Sequence, residues 1–164
     1  MKEKEQLLRI RPFNMANFSG AGGYIPMAAM FGAFFSFPAT FFLWAGLAVP
    51  LKTEDGTIDF LILKRRLKRI ALPICMASSI LWIIYCVSQL FSYGSDLSAI
   101  MLAVWASAVH SVGMYLPIYC SATVLDKNNN LTKGKWFLLT LAFAVLMVII
   151  GVLGTFLLMA LMGI

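Results

Sequence analysis

What this chain lacks is charge. Between Arg11 and Lys52, between Arg69 and Asp96, between Asp96 and Asp126, and from Trp136 to Ile164 it carries no Asp, Glu, Lys or Arg. Each of those tracts (12–51, 70–95, 97–125 and 136–164) is at least as long as the roughly 20 apolar residues that cross a bilayer core. Charged residues make up 12% of the chain and hydrophobic ones 61%, with a mean hydropathy of +0.87, whereas a soluble domain is about a quarter charged. The chain reads as an all-α integral membrane protein. The same absence limits function, because proton relays, ion-coupled carriers and voltage sensors place ionisable groups inside the membrane. No Ser–His–acid or paired-carboxylate arrangement can be assembled there either, so an enzyme is not expected.

Cysteine and histidine are also scarce. Cys75, Cys86 and Cys120 are odd in number, lie inside the tracts and show no C-x-x-C spacing, which indicates neither a disulfide framework nor a zinc site. His110 is the single histidine and has no second strong ligand one turn away. No metal and no cofactor are expected. The first tract is too long for a signal-peptide core and no small-x-small cleavage site follows it promptly, so the N-terminus reads as retained. No internal repeat suggests the inverted halves of a transporter. The glycines at 20, 22 and 23 lack the Lys-Ser/Thr of a phosphate loop and read as a hinge.

What is present divides into a polar tail over 1–23 and one transmembrane domain over 24–164. The spans fall at about 24–51, 70–90, 97–125 and 136–162, the pattern of a small four-helix transmembrane bundle. The first span carries Pro26, Pro38 and Pro50. A kink is expected at Pro38, with the hydroxyls of Ser36 and Thr40 relieving the backbone groups it frees. The alternative is that residues 24–51 dip in and return as a re-entrant hairpin, leaving three crossings. Pro73 falls in the first turn of span two, where proline is tolerated, and Pro117 should bend span three.

The net charge is +6, and its placement bears on topology. The first loop holds Lys52, Lys64, Arg65, Arg66, Lys68 and Arg69, and the third holds Lys127, Lys133 and Lys135. The tail holds Lys2, Lys4, Arg9 and Arg11, and the second loop holds none. With four spans, the excess of basic residues places loops 52–69 and 126–135 in the cytoplasm and both termini outside. Compact loops point to a bacterial inner membrane.

Residues 57–70 read as a basic amphipathic helix. Asp59 sits in its first turn, Leu63, Leu67 and Ile70 share one edge, and Lys64, Arg65, Arg66, Lys68 and Arg69 stand elsewhere. Such a helix contacts anionic lipid headgroups on the cytoplasmic leaflet or docks an acidic cytoplasmic protein. Nucleic acid is a poor fit, since one short basic run is weak evidence.

Inside the membrane, His110 shares a helical face with Ala103, Ala106, Ser107, Ser111 and Met114. A small, mildly polar face of this kind meets another helix rather than lipid. The bland expectation for His110 is a hydrogen-bonded glue between helices, and the sharper one is a ligand- or pH-responsive site. Small residues recur at four-residue spacing at Ala28, Gly32, Ser36 and Thr40 and again at Ala99, Ala103, Ser107 and Ser111, while Gly151, Gly154 and Thr155 cluster in the last span. These stripes permit close helix approach, within one bundle, between copies of the chain, or against other membrane subunits. Phe31, Phe34, Phe35, Phe37, Phe41 and Phe42 spread around span one as lipid-facing bulk. Tyr24, Tyr93 and Trp136 read as belt anchors, and Trp82 and Trp105 as mid-span packing residues.

The function expected from these features is a non-catalytic membrane subunit that anchors, senses or scaffolds within a larger assembly and recruits a cytoplasmic partner. Secretion, conjugation and defence complexes use such pieces, by analogy. The alternatives are a homo-oligomeric pore lined by Ser36, Thr40, Ser107, His110 and Ser111, or a small carrier of a neutral solute gated at Pro38.

Overall fold

The computed structural model describes residues 21–51, 56–93 and 97–162. Within that range the side chains of residues 21–26, 28, 89–93, 97–99 and 162 lie outside the described set. The polar tail, Lys52, Tyr24, Tyr93, Ala28 and Ala99 are therefore not placed as side chains.

Helix α1 spans Ala21–Ala48, α2 Phe60–Arg66, α3 Leu72–Tyr93, α4 Leu97–Lys127 and α5 Lys133–Met162. Among the described residues, four helices are long and apolar enough to cross a membrane. The expected four-helix transmembrane architecture is present, and the re-entrant alternative is not: α1 continues through Pro38 as one helix. A hairpin would leave its turn's backbone groups unpaired in hydrocarbon, whereas an unbroken helix satisfies them internally.

Two boundaries differ from the sequence reading. The basic segment, expected as a helix over 57–70, is helical from Phe60. It joins span two directly through a π-helical turn, Leu67–Ala71, in which the Leu72 N–H reaches back to the Leu67 carbonyl. Pro73 explains that turn. Its ring has no N–H to donate and would clash with the carbonyl four residues earlier, on Arg69, so the helix widens just before it. Widening also sets which side faces inward. Residues four apart drift steadily around an ideal α-helix, and the wider turn winds that drift back. Leu63, Leu67, Ala71 and Cys75 are consequently all buried, while Ile70, which its spacing puts on one edge with Leu63 and Leu67, is 41% exposed. The second difference is α5, which starts at Lys133. Thr132 caps it, its carbonyl accepting from the Trp136 N–H at 2.9 Å and its hydroxyl oxygen from the Lys135 N–H at 3.4 Å.

The other helix ends follow local chemistry. Asp59 caps α2, its carboxylate accepting from Leu61 N–H at 2.8 Å and Ile62 N–H at 3.4 Å. Helix α4 closes in a Schellman motif. Asn129 takes the left-handed conformation at φ 51°, and the N–H groups of Asn129 and Asn130 reach the Asp126 and Leu125 carbonyls. Asp126 thus contributes backbone to the cap.

Helix α4 is central: it packs on α1, α3 and α5, and α1 also packs on α5. Helix α3 lies outside that triple, mostly against α4. Half of the α4 span is buried but only 17% of the span that includes α3, so α3 offers a broad apolar face to the bilayer. Two apolar clusters form the interior. One sits toward the α1–α2 end, around Leu47, Leu63, Leu67, Ile118 and Trp136. The other, around Ala29, Cys86, Leu102, Ala106 and Met159, lies at the opposite end. Trp136 is fully buried, its indole N–H donating to the Ile118 carbonyl at 3.2 Å. It is a core residue and not the interfacial anchor its position suggested. Phe31, Phe34, Phe35 and Phe42 are exposed on α1, as lipid-facing residues should be.

Candidate functional site

Between the two apolar clusters lies a polar seam built by α1, α3 and α4. His110 is its centre and is buried. Its Nδ1 lies 3.1 Å from the Gly32 carbonyl on α1, and its Nε2 lies 2.8 Å from Ser78 Oγ on α3. The indole of Trp82 stacks on the ring at a centroid distance of 5.1 Å. A carbonyl only accepts, so Nδ1 must carry a hydrogen. One side chain on the central helix thereby ties two neighbours through separate bonds, in a medium where water does not compete for them.

The hydroxyls around it are also engaged. Ser111 donates to the Ser107 carbonyl at 2.8 Å and lies in hydrogen-bond contact with Ser79 across the α3–α4 interface. Ser107 donates to the Ser79 carbonyl at 3.4 Å. Thr40 is fully buried and shares its proton between the Ser36 carbonyl at 2.7 Å and the Gly113 carbonyl of α4 at 3.1 Å. Ser36 donates to Ala33 at 2.7 Å. Neither hydroxyl reaches the Phe34 carbonyl that Pro38 leaves without its helical donor. The relief expected at Pro38 is absent, and Thr40 instead serves Gly113, whose helical donor would have been Pro117.

The small residues of the stripes allow close approach inside the chain, to neighbours outside the stripes themselves. A methyl group on Gly32 would lie 3.2 Å from the Ala106 carbonyl, one on Gly151 would lie 2.7 Å from Val109, and one on Gly154 would overlap the Trp105 ring. Ser36, Thr40, Ala103 and Ser107 are buried in the same interfaces. Trp105 and Trp82 are half-buried against the second cluster, and the Trp105 indole N–H donates to Thr155 at 3.0 Å.

Sequence reasoning missed three partners, Ser78, Ser79 and Gly113, and had Trp82 as a packing residue without its stack on His110. The two serines could have been found, because Ser79 and Ser111 are equidistant from position 95 along an antiparallel pair of helices. Gly113 sits four residues before Pro117, a spacing that marks a freed carbonyl.

A second candidate site lies at the α1–α2 end. An antiparallel bridge joins Thr57 to Thr132, with the Ile58 N–H donating to the Leu131 carbonyl at 2.8 Å. The first and third loops are therefore held together, and their basic residues share one end of the bundle. Lys64, Arg65, Lys68, Arg69, Lys127 and Lys135 are exposed, and Arg66 and Lys133 partly so. Among the described residues none is ion-paired with a carboxylate. Leu63 and Leu67 of this segment pack into the protein core. Among the described residues no three His, Cys, Asp or Glu side chains converge as a metal site.

No family of known proteins, no curated protein and no solved structure matches the chain.

Proposed function

We propose that the protein is a non-catalytic membrane subunit that recruits an acidic partner to the cytoplasmic face through its basic end, in a bacterial inner membrane. The observation that carries this reading is the fixed arrangement of that end. Retaining a loop in the cytoplasm requires only positive charge. Here the charges are also held in place by the Thr57–Thr132 bridge, the Asp59 cap and the buried Leu63–Leu67 edge. Preorganised charge of one sign favours docking, since little conformational freedom is lost on binding. The exposed apolar face of α3 leaves room for a further membrane subunit or a second copy.

The pore and carrier readings gain less support. Ser36, Thr40, Ser107 and His110, which would line a pore, are buried and hydrogen-bonded within a single chain.

The test is quantitative co-purification from native membranes of the wild type and of a Lys64→Gln/Arg65→Gln/Lys127→Gln/Lys135→Gln variant. An acidic protein should accompany the wild type in fixed ratio, leave as ionic strength rises, and be lost from the variant. Absence of any such partner, or its full retention by the variant, would remove this reading.

A further inference from the structure

A cleft of about 230 Å³ opens between α3 and α4 toward the bilayer, lined by Leu72, Cys75, Met76 and Ser79 on one side and Ser111, Val112, Tyr115 and Leu116 on the other. Its lining is almost wholly apolar. Leu72, Met76, Val112 and Leu116 are among the exposed apolar residues and form its rims, while Cys75 is buried at its floor. Along α3 the cleft runs from Leu72 to Ser79, about two turns, parallel to the helix axis. Its outer end lies one turn from Lys68 and Arg69, which are exposed and among the described residues have no carboxylate partner. The two described carboxylates lie elsewhere, Asp59 capping α2 and Asp126 two turns beyond Tyr119 on α4.

An apolar slot parallel to the membrane normal, headed by two cations, has the shape and charge order of one lipid molecule. We propose that this cleft is a binding site for an anionic phospholipid, with one acyl chain between Met76 and Val112 and the phosphate held by Lys68 and Arg69. Long basic side chains reach the headgroup layer while their stems stay along apolar surface. A cation near the surface discriminates for anionic lipid. The shallow lining discriminates for a flexible chain, since Val112 and Leu116 leave the slot open sideways. The basic residues divide by depth: Lys64 and Arg65 stand outermost on α2, and Lys68 and Arg69 stand at the π turn where the membrane-embedded cleft begins. This inference does not depend on the partner reading, and the two use different variants.

The full-length protein in mild detergent is titrated with phosphatidylglycerol or with phosphatidylcholine and read by native mass spectrometry. The wild type should hold one phosphatidylglycerol with roughly tenfold preference over phosphatidylcholine. Lys68→Gln/Arg69→Gln should bring that preference near parity. Val112→Trp, which fills the slot from its open side, should lose both lipids while keeping wild-type helicity and a monodisperse elution profile; Leu116→Trp serves as the second cleft-filling variant if Val112→Trp does not fold. Equal affinity of the wild type for the two lipids, or an unchanged preference in the double variant, would overturn the site. So would lipid binding by a folded cleft-filled variant, or efficient disulfide cross-linking of Val112→Cys between copies in a bilayer, which would put a second chain in the slot.

Discussion

Thr40 on α1 donates its hydroxyl to the Gly113 carbonyl of α4 at 3.1 Å, and that carbonyl is the one Pro117 cannot serve. The proline defect in the central helix is thus repaired from a neighbouring helix, and Gly113 itself lets α1 approach, since a methyl group there would meet Ser36 Oγ at 2.7 Å. Thr40→Val keeps the shape and removes the donor. It should destabilise the protein by about 1 kcal/mol, at the upper part of the range for hydrogen bonds between membrane helices. In a Pro117→Ala background Gly113 regains its helical donor, and the cost of Thr40→Val should fall to near zero. Reversible unfolding in mixed micelles gives the four values of this cycle. Equal costs in the two backgrounds would break the proposed link.

His110 gives a spectroscopic prediction. With the Gly32 carbonyl as the hydrogen-bond partner of Nδ1, that nitrogen carries a hydrogen, and Nε2 faces the Ser78 hydroxyl at 2.8 Å. Nitrogen-15 spectra of histidine-labelled protein should show a protonated Nδ1. Ser78→Ala should move the Nε2 resonance and leave Nδ1 in place. A dominant form with a bare Nδ1 would contradict the geometry.

Close approach also separates two glycines that look alike in sequence. A methyl group at Gly154 would sit 2.4 Å from Trp105 Cζ2, whereas one at Gly46 meets nothing within 4 Å. Gly154→Ala should cost roughly 1–3 kcal/mol through overpacking. Gly46→Ala should be neutral, or stabilising by up to about 1 kcal/mol through helix propensity. Thermal melts in detergent distinguish the two, and a Gly154→Ala protein that melts like the wild type would show that Trp105 can move aside.

Much of this fold is legible because hydrocarbon imposes one solution. A charge-free tract of sufficient length must form a helix to satisfy its own backbone, so the spans could be read directly. The His110 face was readable too, because Ala103, Ala106, Ser107 and Met114 recur at helical spacing and are all buried. What periodicity missed came from interactions between elements. Ile70 shares an edge with Leu63 and Leu67 when residues are counted on a regular helix, but Pro73 forces a wider turn and Ala71 takes that place in the core. Trp136 was assigned to the interface by its place at a tract boundary. Its depth is set by α5 beginning a turn earlier and by the Ile118 carbonyl waiting on α4. Ser36 and Thr40 were rightly taken as donors, but the carbonyl that most needs one lies on another helix.

The bridge between the first and third loops makes a topological prediction. Ile58 and Leu131 are hydrogen-bonded at 2.8 Å, so positions 64 and 135 must face the same compartment, while Leu161 near the far end of α5 must face the other. Cys75 and Cys86 are buried and Cys120 is half-buried, so a Cys120→Ser background should be silent toward a charged maleimide in intact vesicles. Lys64→Cys and Lys135→Cys placed in that background should label from the same face, the cytoplasmic one under the proposed topology. Leu161→Cys should label from the opposite face. Labelling of positions 64 and 135 from different faces cannot coexist with the bridge. Labelling of position 161 from the same face as 135 would mean that α5 does not cross. Labelling of positions 64 and 135 from the non-cytoplasmic face would leave no cytoplasmic docking surface, and the partner reading would fail with it.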